Sequence, residues 1–220
     1  MRGGAMIKYF IFFILFIFTT SLSAKTDNNF EKNDSSLIIL NNLRELYSFN
    51  KKIPTELERE ILISLSHYPE LGNIKINFCY ASRFTSMKAV PTLGFLFHKR
   101  NNRTYRIVMN NTTCSGKNLM QRISPEALTG VLGHELGHIK DYSQLSNFGL
   151  IKFMIAYISK KGRIATEIRA DKIAVEHNLG KELLEFNEYI MNDICGNPKY
   201  LKYKKKYYNS SEAINNLVIN

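Results

Sequence analysis

Acidic residues are scarce in this chain. Asp and Glu number 19 against 30 Lys and Arg, a formal net charge of +11 over 220 residues. Such an imbalance favours anionic surfaces, among them lipid headgroups, acidic proteins and nucleic acid. No recognised nucleic-acid-binding motif accompanies it, so the charge alone does not make a nucleic-acid-binding module. Cysteines are few as well: Cys79, Cys114 and Cys195. Three allow one disulfide with one thiol left over, and the spacing leaves the pairing open. They match no zinc-thiolate site, and none follows the N-terminal apolar run closely enough to carry a lipid. Internal repeats and long low-complexity linkers are absent too. With 45% hydrophobic and 22% charged residues, the composition fits one globular domain with a real core.

Long hydrophobic runs are also missing. The longest, "YFIFFILFIF", follows Arg2 and Lys8 and leads into "TTSLSAK". A basic start, a short apolar run and a small-residue exit are the parts of a secretory signal peptide. Residues 1–24 read as that signal, cut after Ser23 or Ala24, and residues 25–220 as a single exported domain, periplasmic or secreted. The run is shorter than the roughly 20 residues of a membrane span, although an uncleaved N-terminal anchor is the competing reading. Loss of Arg2 and Lys8 would take the formal charge from +11 to +9. The basic run "KYLKYKKKYY", Lys199 to Tyr208, reads as a solvated, partly frayed tail. Peripheral membrane or partner contact through that run is the alternative.

Hydrophobic period orders the rest. "KTDNNFEKND" (25–34) reads as a mobile lead-in, and "SSLIILNNLRELYSF" (35–49) as a first helix. A second helix starts at Thr55, with Thr55 and Glu58 as a capping box, and runs to about His67. "IKINFCY" (74–80) alternates like a strand. "TLGFLFH" (92–98) and "TYRIVMN" (104–110) flank the polar "KRNNR", which suggests a hairpin in a small antiparallel sheet. Ser124 as N-cap and Pro125 at the first helical position open a strong helix. "FGLIKFMIAYI" (148–158) has Phe148, Ile151, Ile155 and Ile158 at helical spacing, the pattern of a core helix with Lys152 facing out. It could otherwise line a pocket, cap the site or rest on a membrane. Two more helices follow, parted near Gly180. Helices, sheet, then helices make the class α+β.

Chemistry gathers in "VLGHELGHIKD", Val131 to Asp141. His134 and His138, four apart, project from one helix face and can share one metal ion. Glu135 between them is offset around the helix, where it can reach a metal-activated water. This is H-E-x-x-H, a zinc signature. Gly130, Gly133 and Gly137 weaken the helix by roughly 1 kcal/mol each, and their bare positions let other backbone or substrate approach closely. A catalytic zinc needs a third protein ligand. Glu167 in "TEIRAD" is the best candidate, with Asp171 one turn on to hold the far nitrogen of a ligand histidine. The ordinary alternative for that segment is an exposed turn with i,i+4 charge pairs.

"EALTGVLGHELGHIKD" together with "EIRADKIAVEHNLG" resembles the paired motifs of gluzincin metallopeptidases of the HtpX and CAAX-prenyl-protease type. The likeness covers roughly residues 124–180. It implies a zincin-like fold, with an HExxH helix, a later ExxxD helix and one Zn2+ per chain. His134, His138 and Glu167 match the zinc ligands, Glu135 the catalytic base and Asp171 the supporting acid. The chain departs from the membrane-spanning members in its short linker and missing spans, and looks more like small soluble, exported ones. Regulator-cleaving peptidases of the ImmA/IrrE type share the short spacing but usually carry Asn where Asp171 stands. The resemblance implies a zinc endopeptidase acting on protein or peptide substrates, with Glu135 as general base. A non-catalytic zinc-binding protein with a retained peptidase fold is the other expectation. His177 and Arg169 are the candidate donors to the oxyanion. The strand "TYRIVMN" either presents a sheet edge to an extended substrate or lies in the sheet interior.

Overall fold

The computed structural model describes residues 28–193 and 197–219, with only the backbone course over 28–35. The chain divides into two compact units, Met1–Ser36 and Leu37–Asn220. The signal peptide expected over residues 1–24 and Cys195 lie outside the described residues. Cys114 is disulfide-bonded, while Cys79 is a free thiol.

In chain order, helix α1 (Asn28–Tyr47), strand β1 (Lys51–Lys52) and helix α2 (Glu58–Ser66) precede strands β2 (Lys75–Ala81), β3 (Met87–Pro91) and β4 (Thr104–Asn110). The short strands β5 (Thr113–Cys114) and β6 (Lys117–Asn118) and the one-turn helix α3 (Leu119–Arg122) follow. The remainder is helical: α4 (Pro125–Gln144), α5 (Asn147–Ile158), α6 (Lys160–Glu176), α7 (Gly180–Asn192), α8 (Pro198–Tyr207) and α9 (Ser211–Ile219). The class is α+β, as expected. Among the described residues, no helix is long and apolar enough to cross a membrane.

The sheet differs from expectation. Its order is β1-β2-β4-β3, and it is mixed: β1–β2 and β2–β4 are parallel, and only β3–β4 is antiparallel. β5 and β6 form a separate antiparallel pair. "TYRIVMN" is β4, a strand as expected, but it lies between β2 and β3 and offers no edge. The strand expected over 92–98 is instead a 3-10 turn, Leu93–Leu96. Leu93 and Phe97 face solvent, so that stretch has no buried alternating face. The strand just before it, β3, is one of the two edges of the sheet and ends at Pro91. Proline lacks the N–H a central strand needs, and an edge tolerates it.

Helix starts are mostly as the local chemistry dictates. Ser124 Oγ accepts the Ala127 N–H at 3.1 Å and caps α4. The Thr55–Glu58 capping box does not form: Thr55–Leu57 is a 3-10 turn without a side-chain cap. The Glu58 carboxylate instead takes both Nε and Nη2 of Arg44, each at 2.7 Å, a bidentate pair stronger than one backbone N–H. α1 begins at Asn28, so the lead-in is helical from there on. Neither Gly nor Pro interrupts that stretch, and these are the residues that most oppose helix propagation.

α4 runs through the centre of the second unit, against α2, α6, α7 and β3. Around it the core gathers Ile61, Leu65, Ile76, Ile107, Leu132 and Leu136, all buried. Each such side chain contributes about 1.5–3 kcal/mol on leaving water. At the end of α4 the buried Arg103 donates to Leu145 O at 2.8 Å and to Asn147 Oδ1. A cation there suits the negative end of the helix dipole, and it fixes the corner into α5.

Two further expectations fail. α5 is a helix, but Leu150 is its only fully buried residue. Its Phe148, Ile151, Ile155 and Ile158 row points outward. The periodicity marks a face correctly and is silent on which way that face turns. Nor is the C-terminal basic run a frayed tail. It is α8, with Tyr200 and Lys204 buried one turn apart, while Lys199, Lys202, Lys205 and Lys206 face solvent. That one-sided spacing turns one stripe inward.

Candidate metal centre

Close helix packing builds the site. A Cβ at Gly130 would lie 2.1 Å from Glu182 O of α7, and one at Gly137 would lie 3.1 Å from Ala170 O of α6. The bare positions therefore serve helix backbones, not substrate. Gly137 lets α6 come near enough for its residues one turn apart, Glu167 and Asp171, to meet those of α4.

Glu167 Oε2 lies 3.2 Å from His134 Nε2 and 3.3 Å from His138 Nε2. His134 Nδ1–H donates to Asp171 Oδ1 at 2.7 Å, and Asn209 Nδ2 holds the other Asp171 oxygen at 3.0 Å. Tyr157 OH donates to Glu167 Oε1 at 2.7 Å, which leaves Oε2 to the histidines. Among the described residues His138 has no such anchor for its Nδ1, and its ring stacks on Tyr142 at 5.8 Å. The four residues expected to cooperate are thus brought together, all buried.

His134, His138 and Glu167 place one ligand atom each within 4.8 Å of one another, and the group can hold a metal ion. The donor set fits a cation. With Asp171 taking the Nδ1 proton, the His134 Nε2 lone pair converges with His138 Nε2 on an anionic oxygen. Three acceptors so close need positive charge between them, either protons or a metal. Two imidazoles and a carboxylate supply three ligands and leave room for a fourth.

Electrostatics follow the same geometry. Burial opposes protonation of His134, but the Asp171 and Glu167 carboxylates outweigh it and push the imidazole up to about 10. Glu167 is buried too, yet the two histidines hold its carboxyl well below the usual range. Glu135 goes the other way: burial raises it, against the pull of His138 and His134. Its Oε2 accepts the Ala89 N–H of β3 at 2.5 Å. The carboxylate is therefore held at the strand edge, beside the cluster and outside it.

A cavity of about 430 Å³ opens over these groups, with Glu135, His138 and Glu167 at its base. β3 forms one wall, and Tyr142, Leu150 and Phe153 form another. His177 does not line it. That side chain stacks on Tyr68 at 4.2 Å and contacts Ile173 O at 2.7 Å and Glu70 at 2.9 Å. Arg169 pairs with Asp141 and is likewise outside the cavity lining. Neither is placed to serve as an oxyanion donor. Arg163 and Tyr208 do line the cavity, with the Arg163 guanidinium 5.0 Å from the rings of both Tyr157 and Tyr207.

The sequence reading missed Tyr157, Arg163, Lys204, Tyr208, Asn209 and the Ala89 N–H. Lys204 is buried, its ammonium 5.0 Å from the Phe186 ring and 4.9 Å from the Tyr208 ring. Burial lowers it to about 8, against the pull of Asp171 and Glu167. Tyr200, Lys204 and Tyr208 at four-residue spacing were a legible stripe. The other residues had no local signal. In comparison with known proteins, the chain matches no family model, no curated protein and no solved structure.

Proposed function

We propose that the chain is a zinc-dependent endopeptidase, with His134, His138 and Glu167 as the metal ligands and Glu135 as the general base. The observation that carries this reading is the position of Glu135. It lies next to the ligand cluster, at the base of an open cavity, with its carboxylate turned to an edge strand. The chemistry a zinc ion supplies when bound is that of a Lewis acid, which acidifies water and polarises a carbonyl oxygen.

The chain's own residues do the rest. Asp171 holds the His134 Nδ1–H and so turns Nε2 toward the ligand cluster, where a metal would replace its proton. Tyr157 orients Glu167. Burial raises the Glu135 carboxyl, so the carboxylate is a better proton acceptor than a solvated one and can pass the proton to the leaving amine. Among the described residues β3 has no partner strand on the side away from β4, and an extended peptide can add there through main-chain bonds, with the Ala89 N–H now held by Glu135. Arg163 and Tyr208 line the same cavity and are the candidate donors to a developing oxyanion.

Zinc loading and cleavage of an unfolded protein by the parent and by Glu135→Gln test this reading. One zinc per chain in both, with cleavage lost only in the variant, is the expected result. Failure of the parent to bind zinc, or undiminished cleavage by Glu135→Gln, would overturn it. Zinc retained with no cleavage by either would favour the non-catalytic alternative.

A further inference from the structure

The metal centre leaves α5 unexplained. Phe148, Ile155 and Ile158 are 66%, 63% and 76% exposed, and Leu93 and Phe97 in the adjoining turn are 84% and 89% exposed. The two segments touch: Asn147 Nδ2 donates to Leu96 O at 3.4 Å. Leu93 and Met154 also reach the lining of the cavity. Isolated exposed apolar residues are ordinary, whereas a grouped patch of large ones marks an interaction site.

The charged residues that flank the two segments in sequence have one sign. Lys152 lies on α5, its ammonium 4.6 Å from the Phe148 ring. Lys160 and Lys161 follow the helix end, and Lys99 and Arg100 follow Phe97. No Asp or Glu occurs between Asp141 and Glu167, or between Glu70 and Glu126. Asp141 is paired with Arg169, and Glu167 is buried in the ligand cluster.

We propose that α5 and the Leu93–Phe97 turn form a docking surface for an anionic lipid leaflet. At 12 residues the helix is about 18 Å long, too short to cross a bilayer. Large apolar side chains with lysines at the rim are the makeup of a helix that lies in the interface plane. A second copy fits this face poorly, because a two-fold contact would set its cations against one another. The cavity mouth would then open close to the membrane surface. This inference needs neither the metal nor peptidase activity.

The test uses the full chain with Cys79→Ser, carrying an environment-sensitive dye on Ile155→Cys or, as control, on Lys172→Cys. Vesicles of phosphatidylglycerol with phosphatidylcholine, or of phosphatidylcholine alone, contain a doxyl-labelled lipid as quencher. Quenching of the dye at position 155 in the anionic vesicles, and little at position 172, is expected. Replacing Lys152, Lys160 and Lys161 together by Gln weakens partitioning on the order of a hundredfold, since each lysine near an anionic leaflet is worth about fivefold. Absence of quenching at 155, equal quenching at both positions, or equal binding to phosphatidylcholine alone would overturn the proposal. So would a dye shift that grows with protein concentration and needs no vesicles, which assigns the face to a second copy.

Discussion

α4 buries every residue from Ala127 to Ile139, two histidines and a glutamate among them, whereas α5, the more apolar helix, fully buries only Leu150. The two helices are separated by Leu145 and Ser146 alone. In neither does burial follow hydropathy, and each departure has its own compensation. In α4 the polar groups neutralise one another and the carboxylates of α6 inside the protein. In α5 none of the described residues covers the apolar row, and the compensation proposed above is a lipid surface.

Breaking the α4 side of that contrast should have the largest effects. Glu135→Gln is expected to lower kcat by about 10²–10⁴-fold, the usual range for removal of a general base, with zinc content unchanged in the same preparation. Gly130→Ala sets a Cβ against the α7 backbone and should cost about 3 kcal/mol, at the upper end of overpacking penalties, read by urea denaturation. Protons compete for the ligand set. His134 holds its proton to about pH 10, so a metal must displace it. Apparent zinc affinity should then rise roughly a hundredfold from pH 6 to 8 for one proton released, measured by competition with a chelator. The raised value has the opposite consequence for stability without metal. The His134 contribution is fully present below its ordinary 6.5 and is lost as pH climbs through about 10.

Smaller effects sharpen the comparison. Asp171→Asn leaves the three ligands in place but weakens the hold on the His134 tautomer, and zinc affinity should fall about 10–100-fold. At the other end of the scale, Ile155→Ser and Ile158→Ser should change folding stability by no more than about 0.5 kcal/mol, as exposed positions do. A loss of several times that in thermal denaturation would mean that α5 has a packed partner within the chain.

Sequence reading reached the parts of this site that depend on local spacing. Ser124 and Pro125 start α4, the four-residue intervals put His134 with His138 and Glu167 with Asp171, and the structure closes the two pairs on each other. Features set by the rest of the fold were out of reach. β3 is five residues long and ends in proline, too little pattern to separate from the neighbouring turn. Tyr157, Arg163 and Asn209 gain meaning only once α5, α6 and the C-terminal segment surround the cluster. His177 is a candidate donor by residue type alone, and its stacking on Tyr68 arises from a turn more than a hundred residues away in sequence. For α5 the period was right and the inward direction was wrong, since period carries no information about what lies opposite.

The central claim is that α4 and α6 together form one metal centre from His134, His138 and Glu167. X-ray absorption at the zinc edge of the zinc-loaded chain tests it most directly. One zinc per chain with two imidazole shells and carboxylate or water oxygen is the result this account predicts. A chain that takes up no zinc, or a spectrum with thiolate sulfur or with oxygen alone around the metal, would contradict it.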